Sequence, residues 1–301
     1  MKVLKKLFPQ QRIRIIQSKE RLSRRIGLMI THELMKSIKL PERIDHVFGK
    51  PGSNRGIAAS VYVQTLISMI EDGATHLEEV NHLMEDSAYQ EILSSLSLPG
   101  SDAIGDWLRR QGDTRGEGKM LAVMRYLMQC LDESIPGDTL DIDATIIESR
   151  KGDAQMSYKK IQGYQPLLGV IAENGFVVGS QFRQGNESPQ GGLWDFVKEC
   201  EHGYARTIKT VRSDSAGFNR EMIENCLTEG KYFSITATHN SKVMATIESI
   251  PEQAWQQGYD ETGIKTEWQV AETTYTLSSR KRSFRLVVKR TLLKNANLFT
   301  P

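Results

Sequence analysis

From Ser23 to about Leu131, apolar residues recur three and four positions apart with little β-branched alternation, which predicts a helical half. Ile57–Ile70 reads as an apolar helix stopped near Gly73. Thr75 then suits an N-cap, with Glu78 three residues on completing a capping box. Asp86–Leu96 predicts another helix, and Leu98-Pro99-Gly100-Ser101 a turn that opens a helix ending in Arg109 and Arg110. Two helices about a Pro-Gly turn could form a helix-turn-helix with the arginines in a major groove. The pattern alone favours an ordinary helical hairpin.

Beyond Pro136-Gly137-Asp138 the period changes from helical to alternating. Strands are predicted at Thr139–Thr145, Leu167–Ala172, Phe176–Phe182, Thr207–Val211 and Tyr232–Ala237. Asn174-Gly175 fits the positive φ angles of a tight hairpin turn. Helices are expected from about Gly192 to Glu201 and from Phe218 to Leu227. This order matches a ribonuclease-H-like α/β core, one of several mixed-sheet folds that periodicity permits. Residues 263–277 and 283–291 alternate again, so the expected organisation is a helical, DNA-binding domain over 1–136, a ribonuclease-H-like mixed sheet over 137–238, and the start of a β-rich insertion, incomplete, over 239–301.

Composition narrows the function. The 301 residues contain no apolar run of signal-peptide or membrane-spanning length, which argues against secretion and for a soluble, cytoplasmic, nucleoid-associated protein. Cys130, Cys200 and Cys226 lie far apart without metal-ligand spacing. Net charge is only +2, but Lys2, Lys5, Lys6, Arg12, Arg14, Lys19, Arg21, Arg24 and Arg25 crowd the start. Arg280, Lys281, Arg282, Arg285, Lys289, Arg290 and Lys294 crowd the end. Each cluster could be a solvated face; together they raise the case for a polyanionic partner.

Asp141 and Asp143 are two apart on one predicted strand and share a face. Asp214 follows the fourth strand, where open α/β sheets place ligands. If the first and fourth strands are neighbours, Asp143 and Asp214 could share divalent cations, which suit in-line displacement at a phosphodiester. Taken singly, each acid reads better as a capping or strand-end residue; their joint placement at these two points of one fold brings the metal reading level with it.

At these residues the sequence resembles a known family. Asp143-Ala-Thr145, Arg183-x-Gly185-Asn186 and Arg212-Ser-Asp214-Ser-Ala-Gly-Phe218 resemble the first acid, the Gly-Asn loop and the second acid of DDE transposases from bacterial insertion sequences. Tyr158, Gly163-Tyr-Gln-Pro166, Asp72-Gly73, Asp86, Trp107-Leu-Arg-Arg110 and Ile250-Pro-Glu-Gln-Ala-Trp255 extend the likeness, which is greatest to the thirteen-eighty family. The resemblance implies Asp143 and Asp214 as catalytic metal ligands for Mg2+, with Mn2+ as a substitute, and Asp141 outside the ligand set. Arg183, Asn186 and Arg212 would support the site or meet phosphate; Tyr158, Lys159 and Lys160 would meet DNA backbone or form a solvated loop. Partners would be DNA, both inverted terminal repeats and target, with pairing of two copies in a synaptic complex left open. The family's third acid lies on a helix after the β-insertion. No such helix precedes Pro301, so the expectation is a truncated transposase, or an inactive DNA-binding remnant that competes with the full-length enzyme.

Overall fold

The computed structural model describes residues 23–92, 97–114, 116–131, 137–204, 206–277 and 282–291. The basic residues up to Arg21, the end of the predicted Asp86–Leu96 helix, Pro136, and Arg280, Lys281 and Lys294 lie outside the described residues. The chain divides into two compact units, Met1–Leu131 and Asp132–Pro301.

The first unit is helical, with α1 (Leu28–Ser37), α2 (Leu40–Phe48), α3 (Ala59–Glu71), α4 (Val80–Met84), α5 (Ser87–Ile92), α6 (Ser101–Asp113) and α7 (Gly116–Leu131). Pro41 sits in the first turn of α2, where its missing N–H is no loss. The start of α3 has no cap of its own. Asp45 of α2 supplies one, accepting from the Ser60 backbone N–H at 2.8 Å and its hydroxyl at 2.9 Å. The capping box lies one residue later than predicted: Glu79, not Glu78, accepts from the His76 and Thr75 amides, at 2.9 and 2.6 Å. Ile44, Tyr62, Leu83, Tyr89, Ile104 and Trp107 centre the core, with Trp107 stacked on Tyr62 at 5.0 Å between ring centroids.

The second unit is built on a five-stranded sheet of β1 (Thr139–Ala144), β5 (Leu167–Ile171), β6 (Val177–Gln181), β7 (Thr210–Ser213) and β8 (Tyr232–Ile235), ordered β6-β5-β1-β7-β8. β1 is antiparallel to β5 and parallel to β7, and β7 is parallel to β8. This is the predicted ribonuclease-H-like mixed sheet. Alternation decides its faces: Leu140, Ile142 and Val211 are buried, while Asp141, Asp143 and Arg212 point the other way. The buried face packs under α8 (Leu193–Gly203) and α9 (Arg220–Glu229). The approach of α8 needs glycine beneath it, because a Cβ on Gly179 would lie 2.3 Å from Cys200 Sγ. The β5–β6 hairpin turns at Gly175, whose φ is +75°.

Two features were not predicted. A small sheet of β2 (Ile147–Glu148), β3 (Gln155–Met156) and β4 (Gln162–Tyr164), ordered β2-β4-β3, lies between β1 and β5 in sequence. A helix, α10 (Ser241–Glu248), capped by Asn240, precedes the β-rich region; its single short amphipathic stretch gives a weak periodic signal. The predicted Phe218–Leu227 helix starts later, at Arg220, because the Asn219 side chain caps it by accepting from the Met222 amide at 2.9 Å. β9 (Gln256–Tyr259), β10 (Lys265–Thr276) and β11 (Ser283–Thr291) form a third sheet. Its core of Val243, Ala271, Tyr275, Leu286 and Val288 takes in Phe218, and Phe284 meets Phe233 of β8 edge-on at 5.3 Å. No described helix is long and apolar enough to cross a membrane.

Candidate active site

The parallel pairing of β1 with β7 puts the carboxyl ends of both strands at one end of the sheet. Ile142 is opposite Ser213, so Asp143 and Asp214 occupy the next positions on adjacent strands, on the exposed face. Asp214 ends its strand by turning into a 3-10 helix (Ser215–Gly217), which its own carboxylate caps by accepting from the Ala216 amide at 2.8 Å. Asp143 Oδ1 accepts from the Ala144 amide at 2.9 Å. In both acids the second oxygen, Oδ2, has no hydrogen-bond partner among the described residues. Hard carboxylate oxygens left open at neighbouring strand ends are a donor set that fits a magnesium ion, which typically takes one or two protein carboxylates and completes its shell with water and phosphate.

Asp141 differs from its neighbour two residues on. Arg212, directly opposite on β7, clasps it through two hydrogen bonds, one from Nε at 2.9 Å and one from an Nη. Those bonds hold the Asp141 carboxyl below its ordinary range despite partial burial, and the same pairing raises the Arg212 pKa. Arg212 is thus on the face of the acids, engaged with the one carboxylate that the resemblance leaves out.

Arg183 lies inside the fold. It is 8% exposed and donates to Gln181 Oε1, at 3.1 Å from Nε and 2.7 Å from Nη2, and to the Gly191 carbonyl at 3.1 Å. Burial lowers its pKa, opposed by the charges of Glu187 and Glu199. In this arrangement the guanidinium braces residues 184–192. Asn186 in that loop is exposed. Gly185 before it has a packing role: a Cβ there would lie 2.4 Å from the Gln155 carbonyl oxygen and 2.6 Å from that of Gly163. The Gly185 amide donates to the Gly163 carbonyl at 3.1 Å, so the loop is fastened against the small sheet.

Tyr158, Lys159 and Lys160 form the exposed turn joining β3 to β4, with Lys160 at φ +59° and Lys159 Nζ 5.5 Å from the Tyr158 ring centroid. Arg109 and Arg110 belong to the first unit. Both are exposed near the end of α6, where Arg109 pairs with Asp106 of its own helix at 2.6 Å. Of the basic end cluster, Arg285 pairs with Glu272, Arg290 with Glu252, and Lys289 lies over Trp268.

Two sets of residues escaped the sequence reading. Leu168 and Phe182 are apolar yet 41% and 62% exposed, on the acid-bearing side of the sheet; hydrophobic runs do not reveal which side of a strand is uncovered. Arg25, counted there only as one charge in a basic run, is buried between Asp72 and Asp86, at 2.8 and 3.1 Å.

The strand order of the mixed sheet sets the chain among proteins with a ribonuclease-H-like core. Its sequence matches the family described as transposase DDE domain, group 1, over residues 5–299, and the chain belongs to that family. No curated protein sequence matches it significantly. Among solved structures, it is similar to the HTLV-2 integrase catalytic core domain in complex with magnesium, with 19% identity, 38% of this chain and 68% of that chain covered, and a TM-score of 0.24. It is also similar to the piggyBac transposase in a synaptic complex with hairpin DNA, with 13% identity and a TM-score of 0.35. That match covers 94% of this chain and 55% of the other, so this chain spans just over half the length of that relative.

Proposed function

We propose that the protein is a DNA transposase of an insertion sequence, of the thirteen-eighty kind, that cuts and joins DNA strands at the ends of its element. The observation that carries this reading is the position of Asp143 near the end of β1 and of Asp214 just past the end of the neighbouring parallel β7, each with a carboxylate oxygen that has no partner among the described residues. Asp143 and Asp214 would hold Mg2+, or Mn2+ in its place. A divalent ion there supplies Lewis-acid activation of the attacking oxygen and charge stabilisation of the leaving one.

The remaining residues act by position. The Asp214 carboxylate is fixed by the amide of its own turn, so little reorganisation is needed when a ligand arrives. Arg212 neutralises Asp141, which lowers the negative charge facing an incoming phosphodiester. Arg183 shapes the loop carrying Asn186, which is free to meet a phosphate or a sugar. Tyr158 and Lys159 on the turn of the small sheet, and Arg109 and Arg110 on α6, are assigned to DNA contact, the latter pair to the terminal repeats. Two copies of the chain would pair two element ends.

The test uses a labelled duplex carrying an element end. Magnesium-dependent nicking by the wild-type chain, lost by more than about 100-fold in Asp143→Asn and Asp214→Asn while DNA retention persists, is the expected result. Retention without nicking by the wild type would instead make the chain an occupant of DNA ends.

A further inference from the structure

The register of the strands carries the acid-bearing face well beyond the acids. Asp143 pairs with Leu168, and Leu168 with Ser180, so these three side chains form one row across β1, β5 and β6. Phe182, two residues after Ser180, points to the same side and packs its ring on Tyr164 at 4.7 Å between centroids. Tyr164 faces Ile147 on β2, and Met156 joins the same side of the small sheet through its pairing with Gln162. Ile147 and Met156 are 48% and 57% exposed. An apolar strip therefore runs from beside Asp143 onto the small sheet, with an aromatic ring in its middle.

Charge selects the occupant. Over residues 147–164 there are four cations, Arg150, Lys151, Lys159 and Lys160, against Glu148 and Asp153. Asp153 already accepts from the Tyr164 hydroxyl at 2.7 Å. A strip of exposed apolar and aromatic side chains bordered by lysines and arginines suits a polymer with flat bases and an anionic backbone. An apolar protein helix would use the strip but not the cations. Paired bases would hide their faces from Phe182.

Resting on the transposase reading above, we infer that this strip binds unpaired nucleotides next to the phosphodiester held at Asp143 and Asp214, with a base stacked on Phe182 and its backbone tracked by Lys159 and Lys160. The site is specific for single-stranded DNA at a duplex end, and the small sheet acts as its platform.

The test compares the 301-residue chain on two fluorescent duplexes of the same element-end sequence, one blunt and one with a short unpaired tail containing 2-aminopurine. The wild type is expected to bind the tailed duplex about 10-fold more tightly and to quench the 2-aminopurine. Phe182→Ala abolishes the preference and the quenching without weakening blunt-duplex binding; Phe182→Tyr retains both. Met156→Ala, at a second exposed position, weakens tail binding less. Equal affinity for the two duplexes, or equal weakening of both by Phe182→Ala, overturns this inference and leaves the transposase reading in place. Failure to bind either duplex overturns both. The wild-type comparison decides the matter even if a variant does not fold.

Discussion

The contrast between Asp141 and Asp143 shows how two identical side chains on one strand acquire different chemistry. Asp141 lies opposite Arg212 and is neutralised by it; Asp143, one register step beyond Ser213, has no cation opposite. Adding Asp141→Asn to the nicking assay is the residue-scale test of that difference, and it should lose far less activity than Asp143→Asn. A second residue-scale prediction concerns Arg25, which joins the start of the described chain to Asp72 and Asp86. Arg25→Met leaves two carboxylates in a poorly solvated place and should destabilise the helical unit by about 3 kcal/mol, read by urea denaturation. Although burial alone would raise the Asp86 pKa, hydrogen bonds from the Tyr89 amide, Ser23 and Arg25 hold it below its ordinary value. A depressed carboxylate contributes stability that is complete above its unfolded pKa of about 3.9 and is lost as pH falls through the lower folded value. The melting-temperature gap between wild type and Asp86→Asn should therefore be widest near neutrality and close below about pH 4. A gap unchanged down to pH 3 would refute the assignment.

At the scale of elements, close approach of backbones explains why particular glycines recur in the motifs. Gly185 lets the loop after β6 lie against the small sheet, Gly163 lets β2 approach β4 within that sheet, and Gly169 and Gly179 let α8 settle on the hairpin. Gly179→Ala would place a methyl 2.3 Å from Cys200 Sγ and 3.1 Å from the Phe196 ring. We expect it to lose about 1–3 kcal/mol, with partial recovery in the double variant carrying Cys200→Ala, measured as a double-mutant cycle in urea. Additive effects would show that the clash lies elsewhere. The main strands and helices were legible because their alternation is a local property, as at Leu140–Asp143, while the Asn219 cap that sets the start of α9 was missed. The β2-β4-β3 sheet was not. Its strands are two or three residues long and gain stability from one another and from Gly185, not from any periodic pattern.

For the whole molecule, burial sorts the three cysteines. Cys200 and Cys226 are buried, which pushes their thiols up to about 12 and about 11, while Cys130 is exposed on α7. A thiol reagent such as DTNB should label one cysteine rapidly in the native protein and all three after denaturation. Fast labelling of Cys200 would mean that α8 does not stay seated on the sheet. Family membership rests on the whole chain as well, since the match runs over residues 5–299 and not over the acid motifs alone.

By itself the sequence determined the helical half, the change of period near Gly137, the strands and helices of the mixed sheet, and the two acids with their Gly-Asn loop, because each is written in neighbouring residues. Tertiary structure decided which carboxylate keeps an open oxygen, which arginine is buried as a brace, and which apolar residues face outward beside Asp143. Those outcomes depend on strand register and on what covers each face, and a residue's cross-strand partners lie up to 71 positions away, as in Asp141 and Arg212.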